Sequence, residues 1–233
     1  MTGDRIVADL SFDDPLTGGV TIPDFGRSRV DRPGKIVCIG RNYREHAKEL
    51  GNDVPVEPLF FLKPSTSVIG DGDPIVLTPQ SERVEFEGEI GIVIGARLTK
   101  ADEAEAIAAI RGIVALNDVT ARDLQRKDSQ WTRAKGFDSF CPIGNIASAP
   151  DDLASLTVIT RLNGEERQRA SAREMVFSIP MLLSYVSQVM TLEPGDILAT
   201  GTPAGVAPMA DGDVVEIEIE GLSKVSNPVK SGT

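Results

Sequence analysis

Three glutamates alternate along the segment SERVEFEGEIGIVIG, residues 81–95, and their spacing suggests a shared chemical task. Successive side chains of a β-strand point to opposite faces, so Glu85, Glu87 and Glu89 are predicted to share one face of a strand. Three such carboxylates repel one another, and burying them unpaired is costly. Two arrangements stay open: an exposed edge strand, or a site where the carboxylates bind a cation.

A second carboxylate source favours the cation. The apolar run IGIVIG predicts burial around Glu89, and another apolar strand, VALND, ends at Asp118. With one histidine and two cysteines in the chain, a tetrahedral zinc site of nitrogen and sulfur ligands is disfavoured. Two glutamates and one aspartate suit Mg²⁺ or Mn²⁺, with Ca²⁺ as a further candidate. The residues alone leave the metal site and the solvated face both open.

The single histidine has a carboxylate at helical spacing. His46 and Glu49 lie three positions apart on a predicted helix, so their side chains can touch. A carboxylate can hold the imidazole in one tautomer, ready to take a proton from water. The alternative is a surface histidine or one satisfied in the core. Arg41, just before this helix, could bind a carboxylate or lie on the surface.

Composition and charge narrow the class of protein. The 233 residues carry 24 Lys and Arg against 35 Asp and Glu, a net charge of −11, which argues against nucleic acid or an anionic membrane as partner. We find no secretory signal and no apolar run of the roughly 18 to 20 residues that span a bilayer. Two cysteines form no disulfide framework, so we expect a reduced, cytoplasmic protein with Cys38 as a small buried hydrophobe.

The chain pattern predicts a β-rich α+β fold with few helices and no βαβ rhythm. We predict an N-terminal extension, residues 1–34, in which Ile6, Val7 and Leu10 add an edge strand, and one catalytic domain, residues 35–233. The predicted helices cover 42–50, 101–113, 178–190 and part of 120–135. The predicted strands cover 35–40, 58–64, two within 67–79, 81–95, 114–118, 157–162 and 165–170 around an Asn-Gly turn, 196–201 and 213–221.

Taken together, the chain resembles the fumarylacetoacetate hydrolase family. Six segments occur in that family's order: CIGRNYREHAKELG (38–51), FFLKP (60–64), VEFEGEIGIVIG (84–95), LNDVTARDLQ (116–125), KGFDSFCPIG (135–144) and LATGTPAGV (198–206). The resemblance implies a β-rich roll of stacked mixed sheets with a few short helices. It also implies that the protein is a homodimer. The substrate that it implies is a small 2-oxo acid.

The resemblance also assigns roles to residues. It implies Mg²⁺ or Mn²⁺ bound by Glu87, Glu89 and Asp118, with Glu85 outside the ligand set. It implies that His46 and Glu49 form a catalytic dyad and that Lys135 is the active-site lysine. The substrate-lining residues that it implies are Arg41, Gln125 and Thr202.

The reaction that the resemblance implies is metal-dependent cleavage of a C–C bond in a 2-oxo acid. It would be hydrolysis of an acylpyruvate such as fumarylpyruvate or acetylpyruvate, or decarboxylation of oxaloacetate, giving pyruvate enolate on the metal. His46 would activate water and Lys135 would stabilise the oxyanion. One alternative is an isomerase or hydratase of aromatic catabolism that acts on 2-hydroxyhepta-2,4-diene-1,7-dioate or 5-carboxymethyl-2-hydroxymuconate. A metal-binding protein without catalysis is the other.

Substrate choice is expected to depend on loops around residues 65–75, 120–134 and 203–210. The helix that carries His46 is expected to close when substrate binds.

Overall fold

The computed structural model describes residues 33–49, 51 and 53–232, so the edge strand predicted in the N-terminal extension lies outside the described residues. The strands are β1 Ile36–Gly40, β2 Leu59–Lys63, β3 Val68–Ile69, β4 Ile75–Leu77, β5 Val84–Glu85, β6 Gly88–Ile94, β7 Ile110–Asn117, β8 Thr120–Ala121, β9 Cys141–Pro142, β10 Thr157–Leu162, β11 Glu165–Ser171, β12 Ile197–Ala199, β13 Val214–Ile219 and β14 Ser223–Ser231. The α-helices are α1 Arg44–Glu49, α2 Glu103–Ala108, α3 Arg122–Lys127, α4 Thr132–Lys135 and α5 Ile179–Val189.

Two five-stranded mixed sheets form the core. One has the order β2-β1-β12-β6-β7, with β1 and β12 parallel, and the other has the order β11-β10-β13-β14-β4, with β14 and β4 parallel. Strands β6 and β7 of the first sheet contact β10, β13 and β14 of the second, so the sheets stack. This is the β-rich α+β architecture of stacked mixed sheets with few short helices that was predicted.

The glutamate segment is two strands, and its prediction as one strand is wrong. Strand β5 pairs with β8 and strand β6 with β7, while Phe86 and Glu87 lie between them. The Glu87 N–H donates to the Asn117 side chain at 2.9 Å rather than to a neighbouring strand. At Gly88, an added Cβ would lie 2.0 Å from the Thr160 hydroxyl, so the close approach of the two sheets requires glycine there.

The helix predicted over residues 101–113 is correct only in its first half. Asp102 caps α2 through a reciprocal capping box with Glu105, and the helix ends at Ala108. From Ile110 the chain is strand β7, which pairs with β6 along its length. Local amphipathicity favours a helix here, but pairing with a fully buried strand overrides it.

Among the other predicted elements, some match the structure and some differ from it. Strand β2 ends before Pro64, Ser178 caps α5, and the Asn163-Gly164 turn between β10 and β11 has φ values of 54° and 81°. Helix α1 begins two residues later than predicted. Strands β3 and β4 join different sheets instead of pairing with each other, and β14 was not predicted. None of the helices in the described ranges is long and apolar enough to cross a membrane.

Candidate metal and substrate site

Three predicted ligands converge where β6 and β7 lie side by side. Glu87 precedes β6, Glu89 lies within it, and Asp118 follows β7, which is antiparallel to β6. One carboxylate oxygen from each residue lies within 4.8 Å of the other two. Their relative exposures are only 4%, 1% and 1%. The alternative of a solvated glutamate face is therefore wrong.

Buried cations lie between these carboxylates. The Lys135 ammonium donates to Glu87 Oε2 at 2.7 Å and to Asp118 Oδ2 at 2.6 Å. Arg122 Nη2 donates to Glu87 Oε1 at 2.5 Å, and its Nε donates to Glu85 Oε2 at 2.6 Å. The two cations thus link three carboxylates that would otherwise repel one another.

The pairing continues at both ends. Lys63 Nζ donates to Asp118 Oδ1 at 2.7 Å, and Arg83 Nε donates to Glu85 Oε1 at 2.5 Å. We call this row of alternating charges the ion chain; in order, its members are Arg83, Glu85, Arg122, Glu87, Lys135, Asp118 and Lys63. The family resemblance leaves Glu85 outside the ligand set, and in the structure both of its carboxylate oxygens are paired with arginines.

Glu89 differs from its two neighbours because no side-chain cation in the described ranges pairs with it. It accepts a hydrogen bond from Gly201 N–H at 2.9 Å. Gly201 has φ 96° and an added Cβ would lie 2.8 Å from Asn42 Cβ, so only glycine suits this donor. Burial and repulsion from Asp118 and Glu87 raise the pKa of Glu89 well above its ordinary value.

For the paired residues Glu87 and Lys135, the pKa shifts favour the charged forms, in contrast to Glu89. Burial alone would raise the pKa of Glu87, but Lys135 and Arg122 outweigh it and hold that pKa far below the usual range. Burial alone would lower the pKa of Lys135, but Asp118 and Glu87 outweigh it and raise that pKa. Lys135 is therefore a permanent cation, and its ammonium lies 5.0 Å from the centre of the Phe61 ring.

The predicted dyad forms on helix α1. His46 Nδ1 lies 3.2 Å from Glu49 Oε2, and Glu49 Oε1 accepts a hydrogen bond from Gly205 N–H at 3.1 Å. Since an ionised carboxylate only accepts, we assign the proton to Nδ1, which leaves Nε2 as the basic nitrogen. His46 is buried and the Glu49 side chain is 33% exposed.

A cavity of about 180 Å³ is bordered by the three carboxylates and by His46 of the dyad. The three predicted substrate-lining residues also border it. Arg41 holds a left-handed backbone, with φ 59°. Gln125 Oε1 accepts from Arg122 Nη1 at 2.5 Å, and the Thr202 hydroxyl donates to the Gly88 carbonyl at 2.9 Å. The cavity is lined by Ile39, Gly40, Arg41, His46, Phe61, Glu87, Glu89, Asp118, Arg122, Gln125, Arg126, Trp131, Lys135 and Thr202.

Sequence reasoning missed the buried cations Arg122 and Lys63. Each had a signal: Lys63 ends the apolar strand LFFLK, and Arg122 follows Asp118 by four residues. Arg126, Trp131 and Phe61 at the cavity were also not predicted as site residues.

The two cysteines take no part in ionic chemistry. Cys38 and Cys141 are free and fully buried. Burial raises the pKa of both thiols, that of Cys141 to about 12, so both stay neutral near pH 7. The interpretation of Cys38 as a small buried hydrophobe is confirmed.

The donor set fits a hard divalent cation. With all four carboxylates ionised, as metal ligands must be, Glu85, Glu87, Glu89 and Asp118 carry four negative charges against three on the buried Lys63, Arg122 and Lys135, which leaves one negative charge. The converging donors are all carboxylate oxygens, as Mg²⁺ and Mn²⁺ prefer.

Comparison with known proteins identifies the family of the chain. The sequence profile of the fumarylacetoacetate (FAA) hydrolase C-terminal domain matches residues 35–230. A mitochondrial oxaloacetate decarboxylase of Dictyostelium discoideum is 41% identical over 195 residues, which cover 81% of this chain and 89% of the relative. A mitochondrial oxaloacetate tautomerase of Bos taurus is 40% identical over 212 residues, which cover 86% of this chain and 68% of the relative.

Solved structures show a similar fold. The crystal structure of a 5-carboxymethyl-2-hydroxymuconate delta-isomerase from Mycobacterium smegmatis is similar with a TM-score of 0.80 and 43% identity. The match covers 87% of this chain and 80% of that one. The named relatives are enzymes, among them a decarboxylase, a tautomerase and an isomerase. The chain therefore belongs to the fumarylacetoacetate hydrolase family.

Proposed function

We propose that this protein is a divalent-metal-dependent enzyme that cleaves a C–C bond in a 2-oxo acid. The observation that carries the proposal is the convergence of Glu87, Glu89 and Asp118, with oxygens within 4.8 Å, in a cavity that also contains the His46 imidazole. A cluster of carboxylates alone would indicate only cation binding. The imidazole beside it adds a base, which a reaction with proton transfer requires.

The three carboxylates would hold Mg²⁺ or Mn²⁺. Such an ion supplies Lewis acidity, withdrawing charge from a 2-oxo group and its neighbouring carboxylate. The cavity walls support an anionic substrate, since Arg41, Arg126 and Lys135 all border it. Trp131 and Phe61, whose ring centres are 5.3 Å apart, give the same cavity an apolar side.

His46 would act as the base. With Glu49 holding the proton on Nδ1, Nε2 can remove a proton from a water molecule, and the hydroxide then attacks the distal carbonyl of an acylpyruvate. Lys135 uses two of its three N–H donors on Glu87 and Asp118. The third can donate to the oxyanion that forms, an interaction whose loss typically costs about 10²- to 10³-fold in rate.

Oxaloacetate is a second substrate candidate, supported by the decarboxylase relative. Loss of its distal carboxylate as CO₂ needs no attacking water. This reaction would use the arginines and Lys135 but would depend less on the dyad.

Isomerisation is the alternative function, supported by the tautomerase and delta-isomerase relatives. Here His46 would move a proton between carbons or between carbon and oxygen, and no C–C bond would break. The same base serves both reactions, so the substrate pose decides between them.

A substrate panel with Mg²⁺ or Mn²⁺ tests these functions. Pyruvate release is measured with acetylpyruvate, fumarylpyruvate and oxaloacetate. Tautomer exchange is measured by ultraviolet absorbance with oxaloacetate and a 2-oxo-dienoate. Pyruvate from any of them supports cleavage. Tautomer exchange without pyruvate supports the isomerase, and no turnover of any compound would contradict both.

The homodimer stays a prediction. Light scattering coupled to size-exclusion chromatography measures it, and a mass near the 24.9 kDa of one chain would contradict it.

A further inference from the structure

Lys63 is a fully buried lysine with few partners. Its side chain is 0% exposed, and its ammonium donates to Asp118 Oδ1 at 2.7 Å and to the Val119 carbonyl at 3.2 Å. Removing an ammonium from water costs several kcal/mol unless good geometry offsets it. A lysine at this position therefore calls for a specific task.

The surroundings fix both partners of this ion pair. Strand β2 pairs with β1 in a register that sets Lys63 opposite Ile36, and Pro64 follows directly. Asp118 is held by its N–H, which donates to the Glu87 carbonyl at 2.8 Å. Its own carbonyl accepts from the Thr120 hydroxyl at 2.8 Å. The Lys63–Asp118 contact is thus made between two rigid backbone segments.

Lys63 differs in position from the other buried cations of the ion chain. Arg122 and Lys135 border the cavity, whereas Lys63 does not. It contacts Oδ1 of Asp118, while Lys135 contacts Oδ2. Lys63 therefore contacts the Asp118 carboxylate from a position that does not border the cavity.

We propose that Lys63 is a positioning residue that fixes the Asp118 carboxylate in the orientation in which it converges with Glu87 and Glu89. This inference rests on the proposed metal site. A simple charge effect would act in the opposite direction: removing a cation next to a ligand should strengthen binding of a divalent ion. Loss of orientation should weaken it, because partners that hold a metal ligand typically contribute about 10- to 100-fold in metal affinity.

The test measures Mn²⁺ affinity by electron paramagnetic resonance, with no substrate present. For Lys63→Met we expect Mn²⁺ binding weaker by about 10- to 100-fold. The control is Lys230→Met, the same change at an exposed lysine on β14, for which we expect unaltered affinity. Lys63→Gln retains a donor toward Asp118 and should lose less affinity than Lys63→Met.

If folded Lys63→Met binds Mn²⁺ within about twofold of the unsubstituted protein, or more tightly, the positioning role is overturned. Lys63→Gln binding no better than Lys63→Met would also count against it. Absence of Mn²⁺ binding in the unsubstituted protein would instead overturn the proposed metal site.

A measurement on the unsubstituted protein covers the case in which neither variant folds. In the described part of the chain, Lys63 and Lys135 are the two buried lysines, so ¹⁵N-lysine NMR should detect two protected ammonium groups. Lys135→Met assigns them. Both signals are expected to shift when Mg²⁺ is added, and a shift of Lys135 alone would overturn the proposal.

Discussion

The two walls of the cavity are built differently. On the carboxylate wall, Glu87 and Asp118 are almost fully buried, and each carboxylate oxygen has a cation within 2.7 Å. On the dyad wall, the Glu49 side chain is 33% exposed, and besides its contact with His46 it accepts a hydrogen bond from Gly205 N–H. The first wall is fixed by many short ionic contacts and the second by few.

The anchoring of helix α1 shows the same contrast. Asn42, just before the helix, is buried and its amide donates to the Thr200 carbonyl at 2.8 Å. Its side-chain oxygen accepts from Phe177 N–H at 2.9 Å. The N-terminal end of α1 is thus fixed, while four of its six residues are exposed. A fixed ligand set suits a metal with strict geometry, and a lightly held base suits closure around a substrate.

The largest expected effect is at the carboxylate wall. Glu87→Ala should abolish metal-dependent turnover and lower the free energy of unfolding by about 3–5 kcal/mol, because Arg122 and Lys135 lose a buried counterion. Turnover in Mg²⁺ and thermal unfolding measure these effects. Glu103→Ala, at an exposed glutamate, is the control. Full activity of the unsubstituted protein in EDTA would remove the basis of the metal assignment.

At the dyad wall, His46→Ala should lower hydrolysis of acetylpyruvate by about 10²- to 10⁴-fold, because the general base is lost. Mn²⁺ affinity should not change, since the carboxylates are untouched. Lys48→Ala, an exposed position on the same helix, is the matched control. If hydrolysis persists in the His46 variant, the dyad is not the base. Oxaloacetate decarboxylation should fall less than hydrolysis.

A smaller effect concerns closure of helix α1. With Mg²⁺ and oxalate, a mimic of pyruvate enolate, trypsin should cut more slowly after Arg44 and Lys48, while cleavage after the exposed Lys100 should keep its rate. Mass spectrometry of the fragments over time measures both. Equal cleavage of the helix with and without oxalate would contradict its closure.

The smallest effect is expected at the solvent end of the ion chain. The Arg83 side chain is 51% exposed, so Arg83→Ala should change the free energy of unfolding by at most about 1 kcal/mol. Chemical denaturation measures it. A change as large as that for Glu87→Ala would show that the chain acts as one unit from its exposed end.

Much of the site could be predicted from the order of short motifs. Glu87, Glu89, Asp118 and His46 border one cavity together with Arg41 and Lys135, although the glutamate segment is two strands rather than the one predicted. Their catalytic and binding roles stay predictions until they are tested. The buried partners were not predicted, because a lysine at the end of LFFLK could equally lie in solvent. Only the pairing of β2 with β1 sets Lys63 beneath Asp118.

The secondary structure also has parts that local sequence determines and parts that depend on tertiary pairing. The Asn163-Gly164 hairpin and the cap at Ser178 depend on local backbone preferences, so the sequence alone determined them. The change from helix α2 to strand β7 depends on a partner strand far along the chain. By itself, the sequence also determined a set of acidic candidate metal ligands and one histidine with a carboxylate at helical spacing. The tertiary structure alone decided which carboxylates receive cations, because a buried charge is costly unless it is paired and only the packed sheets bring the partners together.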